Sequence, residues 1–177
     1  MIVGREEALN LQHVLSKCTR LKVFRLQQID MECQEAPVLI AQGLEENTSI
    51  QICSLFQVYD CERILEGLVN HLSLTNLMVE NCVKSGKVIR RVLISPKTLL
   101  ERLTFTAIEI PHARHASLPN DGLMTGEEIQ RQDPWLNILK GLEENKTVKD
   151  FRVVSETVTT DRAGGYLTML TRNTKLR

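Results

Sequence analysis

Residues 43–47 read GLEEN and continue TSIQICSL; residues 141–145 read GLEEN again and continue KTVKDFRV. Placing Leu44 under Leu142 brings Asn47 under Asn145, Ile50 under Val148, Cys53 under Phe151 and Leu55 under Val153. As a template this is L-x2-N-x2-Φ-x2-Φ-x-Φ, with Φ apolar. The same template fits LSKCTRLKVFRL (15–26), LVNHLSLTNLMV (68–79) and ISPKTLLERLTF (94–105), and LTRNTKL (170–176) starts a further copy. Every apolar site of the five complete copies holds an apolar residue, although only 42% of the chain is hydrophobic. A pattern kept that strictly is an internal repeat, and repeats decide the architecture before any single element is assigned.

Ahead of each template the periodicity becomes helical. Ile40/Leu44, Ile64/Leu68, Ile138/Leu142 and Tyr166/Leu170 are i,i+4 pairs that share one helix face. Each helix is expected to stop at the recurring Asn or its substitutes, Cys18, His71 and Lys97. Asn tolerates the left-handed backbone that closes many helices, which is a reason for its recurrence. A strand then follows at once. The acidic pairs Glu45–Glu46 and Glu143–Glu144 sit where the helix dipole disfavours them, and the sequence offers no reason for their repetition.

The first-column residues, at 15, 44, 68, 94, 142 and 170, are mostly spaced within the roughly 20–29 residues of leucine-rich repeats. LSLTNLMVENC, ending in Cys82, reproduces the L-x-x-L-x-L-x-x-C part of that motif; the other copies carry Ile29, Val58, Ile108 and Glu156 at the last position. On these residues the chain resembles leucine-rich-repeat proteins of the long-repeat, ribonuclease-inhibitor-like class. The wording E-N-x-x-[I/V]-x-x-Φ-x-Φ is similar to repeats of tropomodulin-type proteins and NOD-like receptors. The resemblance implies an α/β solenoid, a right-handed β-α superhelix with a parallel concave sheet and outer helices. Stacking is what makes such a fold stable, since one repeat cannot bury its own apolar face.

The expected organisation is one solenoid over residues 1–177, with about five complete repeats plus a truncated one. Arg90 stands where copy four wants an apolar residue, and Pro96 lies in its turn, so that helix is expected to be short or re-phased. After Phe105 the pattern lapses until Trp135, which marks 106–134 as an insertion loop. The pattern also stops half-way through a repeat at Arg177, as expected for a fragment of a longer array.

Composition narrows the function classes. The chain has 22 basic and 22 acidic residues, so no net field draws it to nucleic acid or an anionic membrane. Aromatics make up 4%, too few for a base-stacking platform. No run reaches the ~18 apolar residues of a membrane span, and the N-terminus has no signal-peptide core. Five cysteines without a CxxC spacing fit free thiols in a reducing cytoplasm. His112-x2-His115 lacks the second ligand cluster a zinc site needs, so no metal or other cofactor is expected. Asn47-Thr48-Ser49 and Asn145-Lys146-Thr147 match glycosylation sequons, but their place at the helix ends favours a capping role. No nucleophile, metalloprotease or phosphate-loop motif occurs, and neither an enzyme activity nor a small-molecule substrate is expected.

What remains is surface. Strand residues between the core columns point to the open face. They form the rows Val23, Ile52, Asn76, Arg102 and Asp150; Arg25, Ser54, Met78, Thr104 and Arg152; and Gln27, Phe56, Glu80, Thr106 and Val154. Apolar residues beside arginines are the usual make-up of protein interfaces. Arg25, Ile52, Phe56, Met78, Arg102 and Arg152 are therefore the candidate contacts of a non-catalytic module that binds another protein on its concave face. Two other expectations stand beside it. The resemblance implies a GTPase-activator-like regulator using Arg25, Arg102 or Arg152 on a phosphoryl group, and the unfinished repeat suggests a structural section of a larger receptor array.

Overall fold

The helix-to-strand alternation predicted by the repeat is what forms. The computed structural model describes residues 2–80, 82, 85–107 and 134–155. In chain order these are β1 (Ile2–Val3), α1 (Arg5–Lys17), β2 (Val23–Met31), α2 (Ala36–Glu46), β3 (Ile52–Val58), α3 (Cys61–Glu66), β4 (Asn76–Glu80), α4 (Gly86–Ile94), β5 (Arg102–Ala107), α5 (Pro134–Glu144) and β6 (Asp150–Ser155). The strands make one six-stranded sheet in the order β1-β2-β3-β4-β5-β6, every neighbour parallel. Helices join successive strands, and the chain is a leucine-rich-repeat α/β solenoid.

The repeat columns become ladders. Phe24, Cys53, Leu77, Leu103 and Phe151 are register partners across β2 to β6, and so are Leu26, Leu55, Val79, Phe105 and Val153. Side chains of one strand face alternate with pleat, so these two columns point the same way, into a core shared with the helices. From the helices come Leu15, Ile40, Leu44, Ile64, Ile138 and Leu142, and from the turn after α3 comes Leu68, none with any exposed surface. Truncating such a leucine to alanine costs about 2–5 kcal/mol. Ile29, Val58 and Cys82 fill the column where leucine-rich repeats use Asn or Cys, and all three are buried. Ile29 and Val58 reach it because Gln28 (φ 52°) and Gln57 (φ 49°) adopt left-handed backbone just before them. That inserts one residue into the alternation, a bulge shared by two neighbouring strands.

Backbone hydrogen bonds repeat as regularly as the side chains. At each strand entry one carbonyl accepts two successive N–H groups of the next repeat: Lys22 O from Gln51 and Ile52, Gln51 O from Thr75 and Asn76, Thr75 O from Glu101 and Arg102, and Glu101 O from Lys149 and Asp150. Gly43, Gly67 and Gly141 each precede a first-column leucine and have a structural cause as well. A Cβ at Gly43 would lie 2.9 Å from Leu15 Cβ, one at Gly67 2.1 Å from Ala41 O, and one at Gly141 3.1 Å from Arg90 Cα. Only a residue without a side chain lets adjacent repeats approach this closely.

The recurring Asn has a different cause from the one expected. Asn47 is not left-handed: its backbone is extended (φ −78°, ψ 133°). Its side chain instead joins two repeats. Nδ2 donates to Leu15 O (2.7 Å) and Cys18 O (3.0 Å) of the previous repeat, while Oδ1 accepts from Ser49 N (2.8 Å) and Ile50 N (2.9 Å) of its own. Asn145 does the same, from Nδ2 to Leu93 O (2.6 Å) and from Thr147 N (2.8 Å) and Val148 N (2.7 Å) to Oδ1. The hydroxyl two residues on completes the joint: Ser49 Oγ donates to Leu21 O (2.9 Å) and Thr147 Oγ1 to Leu100 O (2.8 Å). The Asn-x-Ser/Thr pattern is thus an inter-repeat clamp. Left-handed asparagine does occur, at Asn70 (φ 74°), in the turn after α3.

Two helix boundaries differ from expectation. Helix α3 stops at Glu66 rather than at His71, because Gly67, Leu68 and Val69 tighten into i→i+3 bonds to Ile64, Leu65 and Glu66. Helix α4 is re-phased by one residue, as Arg90 foretold: Ile89 and Leu93 are buried, whereas the first-column Ile94 is exposed. Asn145 confirms the shift by bonding to Leu93 O where Asn47 bonds to Leu15 O. Trp135, in the first turn of α5, packs edge-on to Phe105 with ring centroids 4.9 Å apart. The metal reading of His112 and His115, the bulk of the 106–134 insertion, and the copy at 170–176 lie outside the described residues. Among the described residues no helix is long and apolar enough to cross a membrane.

Candidate protein-binding surface

With one face of the sheet sealed by helices, alternation sends the intervening side chains to the other. Register places them in the expected rows. Val23, Ile52, Asn76, Arg102 and Asp150 are partners, as are Arg25, Ser54, Met78, Thr104 and Arg152, and then Gln27, Phe56, Glu80 and Thr106 with Val154. All six candidate contacts therefore project from the open face. Ser54 and Met78 are paired, and Ile52 and Phe56 lie two residues to either side of Ser54 on β3. An apolar triangle of Ile52, Phe56 and Met78 results, in which the first two are half-buried and Met78 is exposed.

The arginines are not alike. Arg25, on β2, and Arg102, on β5, are exposed on opposite sides of the triangle, three strand spacings or about 14 Å apart at ~4.8 Å per strand. Arg152 instead grips its own neighbour, with Nη2 3.2 Å from Asp150 Oδ2 and Nε 3.3 Å from Asp150 Oδ1. At the strand-entry edge Lys149 donates to Glu101 at 2.8 Å. That hydrogen bond, followed by the ammonium charge, holds the Glu101 carboxyl below its ordinary value.

One feature was not anticipated. Where β2 and β3 run into α2 and α3, a cavity of about 740 Å³ opens between repeats, lined by Asp30, Glu32, Cys33, Tyr59, Asp60 and Cys61 among others, with Cys82 on its wall. The thiols come from three repeats, and no sequence spacing announces them. The hydrogen bond between the Cys61 and Cys82 thiols pushes Cys61 up, with burial adding to it, and draws Cys82 down against the opposing effect of burial. Cys53 sits deeper, pushed up to about 12 by burial. All five cysteines are free. Among the described residues no His, Cys, Asp or Glu group is arranged to hold a metal ion.

No family model matches the chain, and no curated protein sequence matches it either. Solved structures do. The actin-binding site 2 of leiomodin-1 superposes with a TM-score of 0.58 at 18% identity, covering 93% of this chain and 87% of that one. The tropomodulin C-terminal domain of Caenorhabditis elegans gives a TM-score of 0.59 at 16% identity, covering 94% and 93%. The likeness is one of fold. It agrees with the leucine-rich-repeat reading of the sequence.

Proposed function

We propose that the chain is a non-catalytic module that binds a protein partner through the open, concave face of its sheet. The observation that carries this reading is the Ile52, Phe56 and Met78 triangle flanked by Arg25 and Arg102 on a face that none of the described helices covers. Large apolar anchors supply the desolvation energy, and arginines at the edge supply charge-assisted bonds to carboxylates. Arg152, already held by Asp150, contributes position rather than a free charge. The array acts as one solenoid interrupted by the 106–134 insertion, and free thiols suit a cytoplasmic setting.

Leiomodin-1 offers actin as the first partner to try, since its matching segment is an actin-binding site. Co-sedimentation with filamentous actin, alongside a pull-down, should compare the wild type with Phe56→Ala/Met78→Ala/Arg152→Ala. Loss of a specific partner by the variant, with unchanged circular dichroism, supports the reading. Retention of every partner by the variant refutes it.

A further inference from the structure

The edge where helices return to strands is polar in most repeats. At the position after the recurring Asn stand Thr19, Thr48, Leu72, Thr98 and Lys146; one further on stand Arg20, Ser49, Ser73, Leu99 and Thr147. In the second, third and fifth repeats that second position carries a hydroxyl that ties back to the previous repeat: Ser49 to Leu21 O, Ser73 to Ile50 O and Thr147 to Leu100 O. Leu99 gives that bond up. Its side chain gains no burial in exchange, being 57% exposed, and Leu72 is 58% and Ile94 42% exposed. Pro96 beside them is exposed as well. The two loops adjoin, since Ser95 Oγ donates to Asn70 Oδ1 at 2.8 Å and Glu101 N to Thr75 O at 2.8 Å. Single exposed leucines are ordinary, but several on adjoining loops, one of them replacing a clamp, form a patch that folding does not explain.

The charge left over around the patch is basic. Lys97 lies within it and Lys146 on the neighbouring loop, both exposed. Of the carboxylates near them, Glu101 is paired with Lys149 and Glu144 with Arg90. We propose that Leu72, Ile94 and Leu99, with Lys97 and Lys146, form a second docking surface for an acidic protein segment carrying aliphatic side chains. An anionic membrane fits less well, because lipid headgroups are held by clusters of about 4–8 basic residues. This surface is separate from the open face of the sheet and does not depend on it.

The test is fluorescence anisotropy with a labelled amphipathic peptide of Glu and Leu, a control peptide with Lys in place of Glu, and vesicles containing phosphatidylserine. The wild type should bind the Glu/Leu peptide and not the Lys/Leu one. Leu72→Ser/Leu99→Ser should bind at least about tenfold more weakly, Lys97→Glu/Lys146→Glu should do likewise, and Phe56→Ala should bind as the wild type does. Urea midpoints of all variants confirm that the fold is kept. The proposal is overturned if the wild type ignores the peptide, if the serine variant binds it equally, if the Lys/Leu peptide competes, if Phe56→Ala weakens binding as much as the leucine changes, or if the chain sediments with vesicles but does not bind peptide.

Discussion

Asn47 and His71 occupy the same position in successive repeats and are equally hidden, each with 4% of its surface exposed. One is bonded at both ends of its amide, to two carbonyls and two N–H groups. The other has neither ring nitrogen hydrogen-bonded. Yet Leu77 sits beside Cys53 in register as faithfully as Cys53 sits beside Phe24. The sheet and its apolar ladder therefore specify the stacking, and the polar clamp adds strength to a joint whose geometry is already set. An array built this way can hold strong and weak joints in one outline.

Removing the strong joint should have the largest effect. Asn47→Ala takes the side-chain partner from Leu15 O and from the Ser49 and Ile50 N–H groups, leaving Cys18 O to Ser49 Oγ, and a loss of about 3 kcal/mol in urea unfolding is expected. If the loss is no greater than that of a surface substitution, the clamp is ornamental. Next comes crowding the joint between α2 and α3. Gly67→Ala puts a methyl group 2.1 Å from Ala41 O, a fixed backbone atom, and should cost about 1–3 kcal/mol. Smaller again, and of opposite sign, His71→Asn should restore a clamp and stabilise by about 1 kcal/mol.

His71 also makes the weak joint sensitive to pH. Burial lowers its pKa, so the folded chain favours the neutral imidazole. The unfolded chain binds the proton more readily, near the ordinary value of about 6.5. Stability from this group is thus fully present above about pH 6.5 and falls as the pH drops through and below it. Urea midpoints at about pH 7.5 and 5.5 should differ more for the wild type than for His71→Asn. Equal differences would show that the acid sensitivity lies elsewhere.

Much of this molecule could be read before folding it. The columns Phe24 to Phe151 and Leu26 to Val153, and with them the rows of the open face, follow from a period of two that allows no slippage once one face is buried. The re-phasing of α4 was signalled by Arg90, but not its outcome, the exposure of Ile94 in favour of Leu93. The role of Asn47 was missed because backbone tolerance was considered and side-chain valence was not. The signal was available in the Ser49 and Thr147 that follow at the same offset. The cavity holding Cys33, Cys61 and Cys82 had no such signal, since stacking alone brings those repeats together.

The doubled carbonyl at each strand entry has an engineering meaning. Lys22, Gln51, Thr75 and Glu101 measure out the sheet like teeth on a rack, one strand per tooth, however many residues intervene. Helix α2 spans 11 residues and α3 only 6, and between β5 and β6 lie 42 residues, yet Arg102 still meets Asp150 and Thr104 still meets Arg152. The side of the molecule away from the rack is therefore its port. New sequence spliced between Ala107 and Pro134 should leave the strand register intact, and with it the rows of side chains on the open face.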